Sequence, residues 1–200
     1  MEDKTVSEIV KDFDDQTPKM GDILVGIGHF INPCTNMIKY DETKNELIRQ
    51  KISFEERIVY HGTYEENINS IFMNGFSIDM CGSRMPSHFG KGIYTSKLID
   101  VALYYCYEGI YSRNAYNCEK GDHFLIACLS LIINEYKIDR DHLGNRVENI
   151  DRDLYNVVTY KSETKMSRDI RRIHSETVVF NTDHIVPLYV IKTKDLALAL

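Results

Sequence analysis

The sequence predicts a single α+β domain, and three observations lead there. At 200 residues with 43% hydrophobic side chains, the chain can bury one core and leaves little room for a second. Helical periodicity dominates before residue 120, whereas strand-like apolar runs concentrate after it. The two kinds of segment are grouped and do not alternate as βαβ units, which separates α+β from a doubly wound arrangement.

Taken in order, Val6, Ile9, Val10 and Phe13 lie on one stripe of an amphipathic helix. The turn-prone Gln16-Thr17-Pro18 and a segment from Gly21 to Gly28 follow. Residues 1–30 are expected to form an N-terminal extension, helical in part, ahead of a domain over residues 31–200. Asp41 can cap a short helix over about Glu42 to Lys51, with Leu47 and Ile48 inward. Arg57-Ile58-Val59-Tyr60 reads as a strand that delivers the chain to His61-Gly62-Thr63. Thr63 and Glu66 have capping-box spacing, Ile68, Ile71 and Phe72 keep helical spacing, and Gly75 suits a left-handed C-cap. Ser77 to His88 carries Gly82 and Pro86 and reads as a surface loop. In Phe89-Gly90-Lys91-Gly92-Ile93-Tyr94 the glycines permit close backbone approach or positive φ before a strand emerges. Ser96 can cap a helix bearing Leu98, Val101, Ala102 and Tyr105, which would run to Gly109.

Phe124 to Ile133 is an almost unbroken apolar run, the pattern of a central strand buried on both faces. Thr177 to Phe180 and Ile185 to Lys192 suggest two more strands, and Pro187 places the second at an edge or a bulge. Lys137 to His174 is polar and reads as irregular loop with a short strand near Tyr155 to Val158. Internal repeats and low-complexity tracts are absent from the sequence.

Composition removes several classes of function. Lysine and arginine number 24 against 30 aspartates and glutamates, a net charge of −6, which disfavours an autonomous DNA-binding surface. The longest apolar runs fall well short of the ~20 residues of a membrane helix, so no membrane association is expected. The N-terminal Met-Glu-Asp-Lys opens no apolar signal region, which points to a soluble protein of a reducing compartment, cytoplasmic or nuclear. Five irregularly spaced cysteines do not suggest a disulfide framework. Cys106, Cys118, His123 and Cys128 could be joined in a metal site only without any Cys-x₂-Cys pair and with Cys128 in a buried strand; free thiols and no metal are expected.

One histidine, one tyrosine and one glutamate stand at the ends of three separate expected strands: His61, Tyr94 and Glu176. Singly, each has an ordinary structural explanation. Together, the succession Tyr60-His61-Gly62-Thr63, Asn67, Gly75-Phe76, Phe89 to Tyr94, Tyr105-Cys106 and Ser175 to Phe180 resembles the catalytic domain of the poly(ADP-ribose) polymerase family. The likeness extends from about Ile31 to Lys192, and no room is left for a helical regulatory subdomain. The chain is therefore similar to the compact, mono-ADP-ribosyltransferase-like members of the diphtheria-toxin-like group that carry the His, Tyr, Glu set.

That resemblance implies mixed, mostly antiparallel sheets with helices on the N-terminal side. It also implies NAD⁺ as a consumed substrate, no metal, and transfer of ADP-ribose to an acceptor expected to be a protein, the enzyme itself included. Glu176, His61 and Tyr94 would be catalytic. Glu176 would hold a ribose 2′-hydroxyl and stabilise positive charge as the nicotinamide bond breaks. Tyr94 and Tyr105 would flank the nicotinamide ring, and Gly62 would offer its backbone to the carboxamide. His61 would bind a hydroxyl of the adenosine ribose, Asn67 and the loop from Ser77 to His88 would lie along the adenosine and diphosphate, and Thr63 and Ala102 would belong to the same NAD⁺-binding set.

Two departures from the family pattern matter. Val101 and Ala102 stand where many members carry lysine and serine, which removes a hydroxyl from the carboxamide position and about 1 kcal/mol of binding. The segment between the central strand and Glu176 is also short, and together these favour transfer of a single ADP-ribose over polymer. A hydride-transfer enzyme would need Gly-x-Gly-x-x-Gly after an early strand, and Gly90-Lys91-Gly92 does not continue as one. Two rivals stay open at this stage: a catalytically silent module that holds a nucleotide or partner in the same cleft, and a hydrolase pairing Cys106 with His61, against which Cys106 has nothing to lower its pKa.

Overall fold

A computed structural model of the chain describes residues 2–16, 24–29, 35–80, 89–106, 123–138, 150–165 and 171–193. Along it run α1 (Glu2–Gln16), β1 (Leu24–His29), α2 (Thr35–Gln50), β2 (Glu55–Thr63), α3 (Glu65–Asn74), β3 (Ile93–Thr95), α4 (Ile99–Tyr104), β4 (His123–Ile132), β5 (Glu135–Ile138), β6 (Val157–Lys165), β7 (Arg171–Val179) and β8 (Ile185–Thr193). The described α-helices all precede residue 105, and most strand residues follow residue 120, which is the expected α+β division. The strands build two four-stranded sheets, in the orders β1-β8-β4-β2 and β3-β7-β6-β5. Pairing is antiparallel except between β5 and β6.

Strand β4 shows why its sequence is apolar throughout. Side chains alternate across a strand, so its odd and even residues face different layers. Leu125 and Ala127 pack with Ile9 and Phe13 of α1 and with Ile99, Ala102 and Leu103 of α4. Farther along, Leu131 joins Tyr40 and Leu47 of α2. Ile126, Cys128 and Ile132 instead face the second sheet, meeting Ile93, Val157 and Val179, with Ile68 and Phe72 of α3 in the same cluster. The outer face of the second sheet is covered by Phe89 and Ile138 packed on Val158, Tyr160, Val178 and Phe180.

Pro187 fulfils its expected role in an unexpected place. Strand β8 is interior to its sheet, yet Ala127 pairs with Tyr189 and Cys128 with Pro187, so Leu188 is the extra residue of a bulge. The β1 pairing stops at Tyr189, so Pro187 needs no N–H for that neighbour.

Several local expectations are corrected. Helix α2 begins at Thr35, not after Asp41, because its inward face is set by Asn36, Tyr40 and Leu47; Ile48 is 55% exposed. The N-cap of α3 is Tyr64 and makes no side-chain cap bond, so Thr63 and Glu66 do not form a capping box. Gly75 does take a positive φ of 80°, but its ψ of −176° is extended and not left-handed helical. Ser96 lies before the N-cap of α4, which is Leu98. The polar stretch expected to be loop carries the end of β5, the part of β6 beyond Val158 and the first half of β7. A single 3₁₀ turn occupies Ile78–Met80, whereas the rest of the expected surface loop, the expected helix beyond Cys106, and Cys118 lie outside the described residues. Among the described residues no helix is long and apolar enough to cross a membrane.

Candidate active site

Two sheets and a helix meet around Ser96. Its backbone exchanges hydrogen bonds with Tyr60 in the second half of β2, at 2.7 and 2.9 Å. Its hydroxyl donates to the Ser175 carbonyl on β7 at 2.5 Å and accepts from the Leu98 N–H, just before α4, at 2.8 Å. The ladder between β3 and β7 ends at Thr95 with Thr177. Glu176 therefore lies one residue beyond it, opposite Tyr160 on β6.

The histidine and first tyrosine are joined by their backbones. His61 Nδ1–H donates to the Tyr94 carbonyl at 2.8 Å, which leaves Nε2 as the acceptor of the neutral ring. Burial lowers the His61 pKa, against a smaller opposing effect of that hydrogen bond, so the neutral form is favoured. Phe76 meets the imidazole edge-on at 5.1 Å, which gives the Gly-Phe pair after α3 its structural meaning. The Tyr94 hydroxyl closes the turn of its own motif: it donates to the Gly90 carbonyl at 2.9 Å and accepts from the Phe89 N–H at 3.0 Å. That turn holds Gly90 at a φ of 82° and brings Gly92 against Val178.

The glutamate and second tyrosine meet through their side chains. Tyr105, the C-cap of α4, donates its hydroxyl to Glu176 Oε1. Glu176 is only 4% exposed, and burial pushes its carboxyl up to about 7. The phenol donor acts in the opposite sense, favouring the ionised form. A carboxylate so enclosed interacts strongly with any positive charge that develops beside it, because little water screens the pair.

Gly62 brings β2 into contact with α4. A Cβ there would stand 2.0 Å from the Ala102 carbonyl oxygen and 3.1 Å from Tyr105 Cβ, so only glycine permits the approach. The Ala102 side chain lies in the core beneath α1, and its carbonyl faces Gly62. Thr63 and Asn67 form a separate pair at the turn from β2 to α3, where Asn67 Nδ2 donates to Thr63 Oγ1 at 3.3 Å. The structure thus links His61 with Tyr94, Glu176 with Tyr105, and Gly62 with Ala102.

Cys106 has no nucleophile's environment. Burial raises its thiol to about 12, and Sγ donates to the Phe124 carbonyl at 3.1 Å. No cluster of three or more metal-ligating side chains occurs among the described residues. Sequence reasoning missed Ser96 as the junction, Tyr160 opposite Glu176, and Asp12 and Gln16 on α1. Ser96 was visible only as a helix cap, and the apolar stripe of α1 gave no sign of what its polar residues hold.

The family model described as the poly(ADP-ribose) polymerase catalytic domain matches residues 4–195. The chain is also 24% identical over 159 residues to Poly [ADP-ribose] polymerase 2 of Caenorhabditis elegans, covering 70% of this chain and 27% of that protein. It spans about a quarter of the length of that relative.

Proposed function

Because the chain belongs to the poly(ADP-ribose) polymerase catalytic-domain family, matched over residues 4–195, we propose that it cleaves NAD⁺ at the nicotinamide bond and transfers a single ADP-ribose to a protein acceptor. The observation that carries this reading is the buried carboxylate of Glu176, raised to about 7 and held by the Tyr105 hydroxyl at the junction of two sheets. The residues fit the substrate. Two tyrosines and an enclosed carboxylate, with α4 held close to the Gly62 backbone, suit a flat neutral amide attached to a ribose that becomes cationic.

In this reaction the C–N glycosidic bond breaks, and its electron pair leaves on nicotinamide. The acceptor nucleophile forms a new bond to the ribose carbon and loses its proton. Glu176 holds the 2′-hydroxyl, stabilises the cationic ribose and polarises the incoming acceptor, taking its proton. Tyr94 and Tyr105 flank the nicotinamide, with the Tyr94 ring fixed by its hydroxyl bonds to the Phe89–Gly90 turn. Gly62 gives backbone hydrogen bonds to the carboxamide beside Ala102, where no side-chain hydroxyl is offered. His61 binds an adenosine ribose hydroxyl, and Thr63 and Asn67 lie toward the adenosine and diphosphate. Metal, DNA and membrane have no part in the proposed reaction.

Purified protein incubated with NAD⁺ labelled in its adenylate half tests this. Nicotinamide should be released and label should become covalently attached to protein, as one discrete species and not a ladder. Release without attachment would leave a glycohydrolase. NAD⁺ binding with no release would establish a silent binding module and refute the transferase reading.

A further inference from the structure

Helix α1 ends in Gln16, whose side chain makes two hydrogen bonds to a segment more than eighty residues away. Its Nε2 donates to the Lys97 carbonyl at 3.0 Å, and its Oε1 accepts from the Ile99 N–H at 2.9 Å. One turn earlier, Asp12 Oδ2 accepts from the Tyr60 hydroxyl at 2.7 Å. Residues four apart share a helix face, so one face of α1 clasps both the second half of β2 and the start of α4. Beside the clasps, Ile9 and Phe13 are buried against Tyr60, Ile99 and Leu103, and Phe13 meets Tyr60 edge-on at 6.1 Å.

The contact answers a need particular to α4. The first N–H groups of a helix have no partner inside it, and the N-cap residue Leu98 offers no side-chain acceptor. With six residues, α4 is far too short to hold its shape alone. Yet it ends in Tyr105, whose hydroxyl reaches Glu176, and its Ala102 carbonyl faces Gly62. Gln16 supplies the missing acceptor and fixes the preceding carbonyl, which sets where the helix starts and hence where Tyr105 ends.

The geometry points to Gln16 as a positioning residue that fixes the nicotinamide-side wall through α4, an inference whose binding consequences rest on the proposed reaction. It touches no substrate atom; it acts through Lys97, Ile99 and the helix they open. A group misplaced by about 1 Å can lose a large factor in binding or rate.

The test compares Gln16→Ala, Gln16→Glu and, as a control for general loss of stability, Tyr40→Phe, which removes a hydrogen bond to Glu56 toward the other end of the same sheet. Gln16→Glu can still accept from the Ile99 N–H but cannot donate to Lys97. Hydrogen exchange is followed at the α4 amides of the whole chain without ligand, and benzamide affinity and NAD⁺ kinetics are measured on the same samples. Gln16→Ala should speed exchange at Ile99 to Cys106, weaken benzamide about tenfold and raise KM more than it lowers kcat. Gln16→Glu should recover most of the affinity, and Tyr40→Phe should leave both α4 exchange and affinity unchanged. Unaltered α4 exchange in Gln16→Ala, or equal weakening in Tyr40→Phe, would overturn the assignment. Wild-type protein that neither releases nicotinamide nor binds benzamide would refute the transferase reading alone, and α4 exchange would still decide the role of Gln16.

Discussion

Replacing Glu176 by glutamine should make the protein more stable and nearly inactive. Burial shifts the carboxyl from an ordinary 4.5 to about 7, and at about 1.4 kcal/mol for each tenfold change in proton affinity this is on the order of 3 kcal/mol. The sign follows from proton binding. Between pH 4.5 and 7 the folded protein holds more protons at this site than the unfolded chain, so this contribution to stability falls as pH rises through that window and levels off above it. Glutamine has no charge to bury, so the variant lacks this decline. Its advantage should be absent at pH 4 and reach about 1–3 kcal/mol at pH 8, the Tyr105 donor reducing it from the full value. For a chain of this length that is a Tm rise of roughly 3–10 °C. Urea unfolding at both pH values gives the difference, and nicotinamide release should fall at least tenfold. In the wild type, kcat/KM should climb with pH and plateau above about 7 as Glu176 ionises. An increment that is the same at pH 4 and pH 8, or a variant less stable at pH 8, would refute the claim that burial sets this pKa.

Three further substitutions probe the surrounding frame. Gly62→Ala should cost about 3 kcal/mol or more, since its Cβ meets a backbone carbonyl at 2.0 Å, and it should weaken benzamide as α4 is forced away; full affinity in a folded variant would count against the pocket. Gly75→Ala should cost about 2–4 kcal/mol with kcat unchanged, because it combines a φ of 80° with a Cβ against the Asn36 side chain, and Gly75→Asn should be no better because ψ is −176°. A rescue by asparagine in thermal unfolding would show that the glycine is left-handed helical after all. Cys106→Ser should retain nicotinamide release within about threefold, because its thiol is held near 12; abolished release in a stable variant would revive a thiol nucleophile.

What was legible in the sequence follows from how locally each feature is determined. Strand β4 is readable because burial on both faces leaves a continuous apolar run, and α3 because one buried stripe recurs at helical spacing. The β6–β7 pairing was not, because from Lys161 to Ser175 the strands are polar and are defined by backbone pairing with each other. Backbone pairing leaves no trace in side-chain type. The start of α2 was missed for a related reason: Tyr40 is buried with its hydroxyl on Glu56, so an aromatic anchored across the chain, and not an apolar period, sets the inward face. At the site, the residue types were visible in sequence through family likeness, but His61, Tyr94 and Glu176 lie inside β2, β3 and β7 and not at strand ends, because backbone pairing carries each strand past them. The couplings were not visible, since Ser96 to Ser175 and Gln16 to Ile99 each join segments about eighty residues apart.

Why the glutamate sits on a strand follows from its burial. A carboxylate pushed up to about 7 by burial would swing into water if a loop carried it, since a few rotations would relieve the desolvation. Here β7 lies between β3 and β6, and residues on either side of Glu176 are fixed: Ser175 accepts from Ser96, and the Thr177 carbonyl accepts from Thr95 Oγ1 at 2.8 Å. The ladder therefore holds the carboxylate where its charge is unfavourable in the resting protein. In the proposed reaction that cost would make the group effective, because the low screening that penalises a lone anion strengthens its attraction to a cation formed beside it. The Tyr105 hydroxyl partly satisfies the anion, and in the proposed reaction a ribose hydroxyl would take over that role, which ties the end of α4 to the charge state of β7.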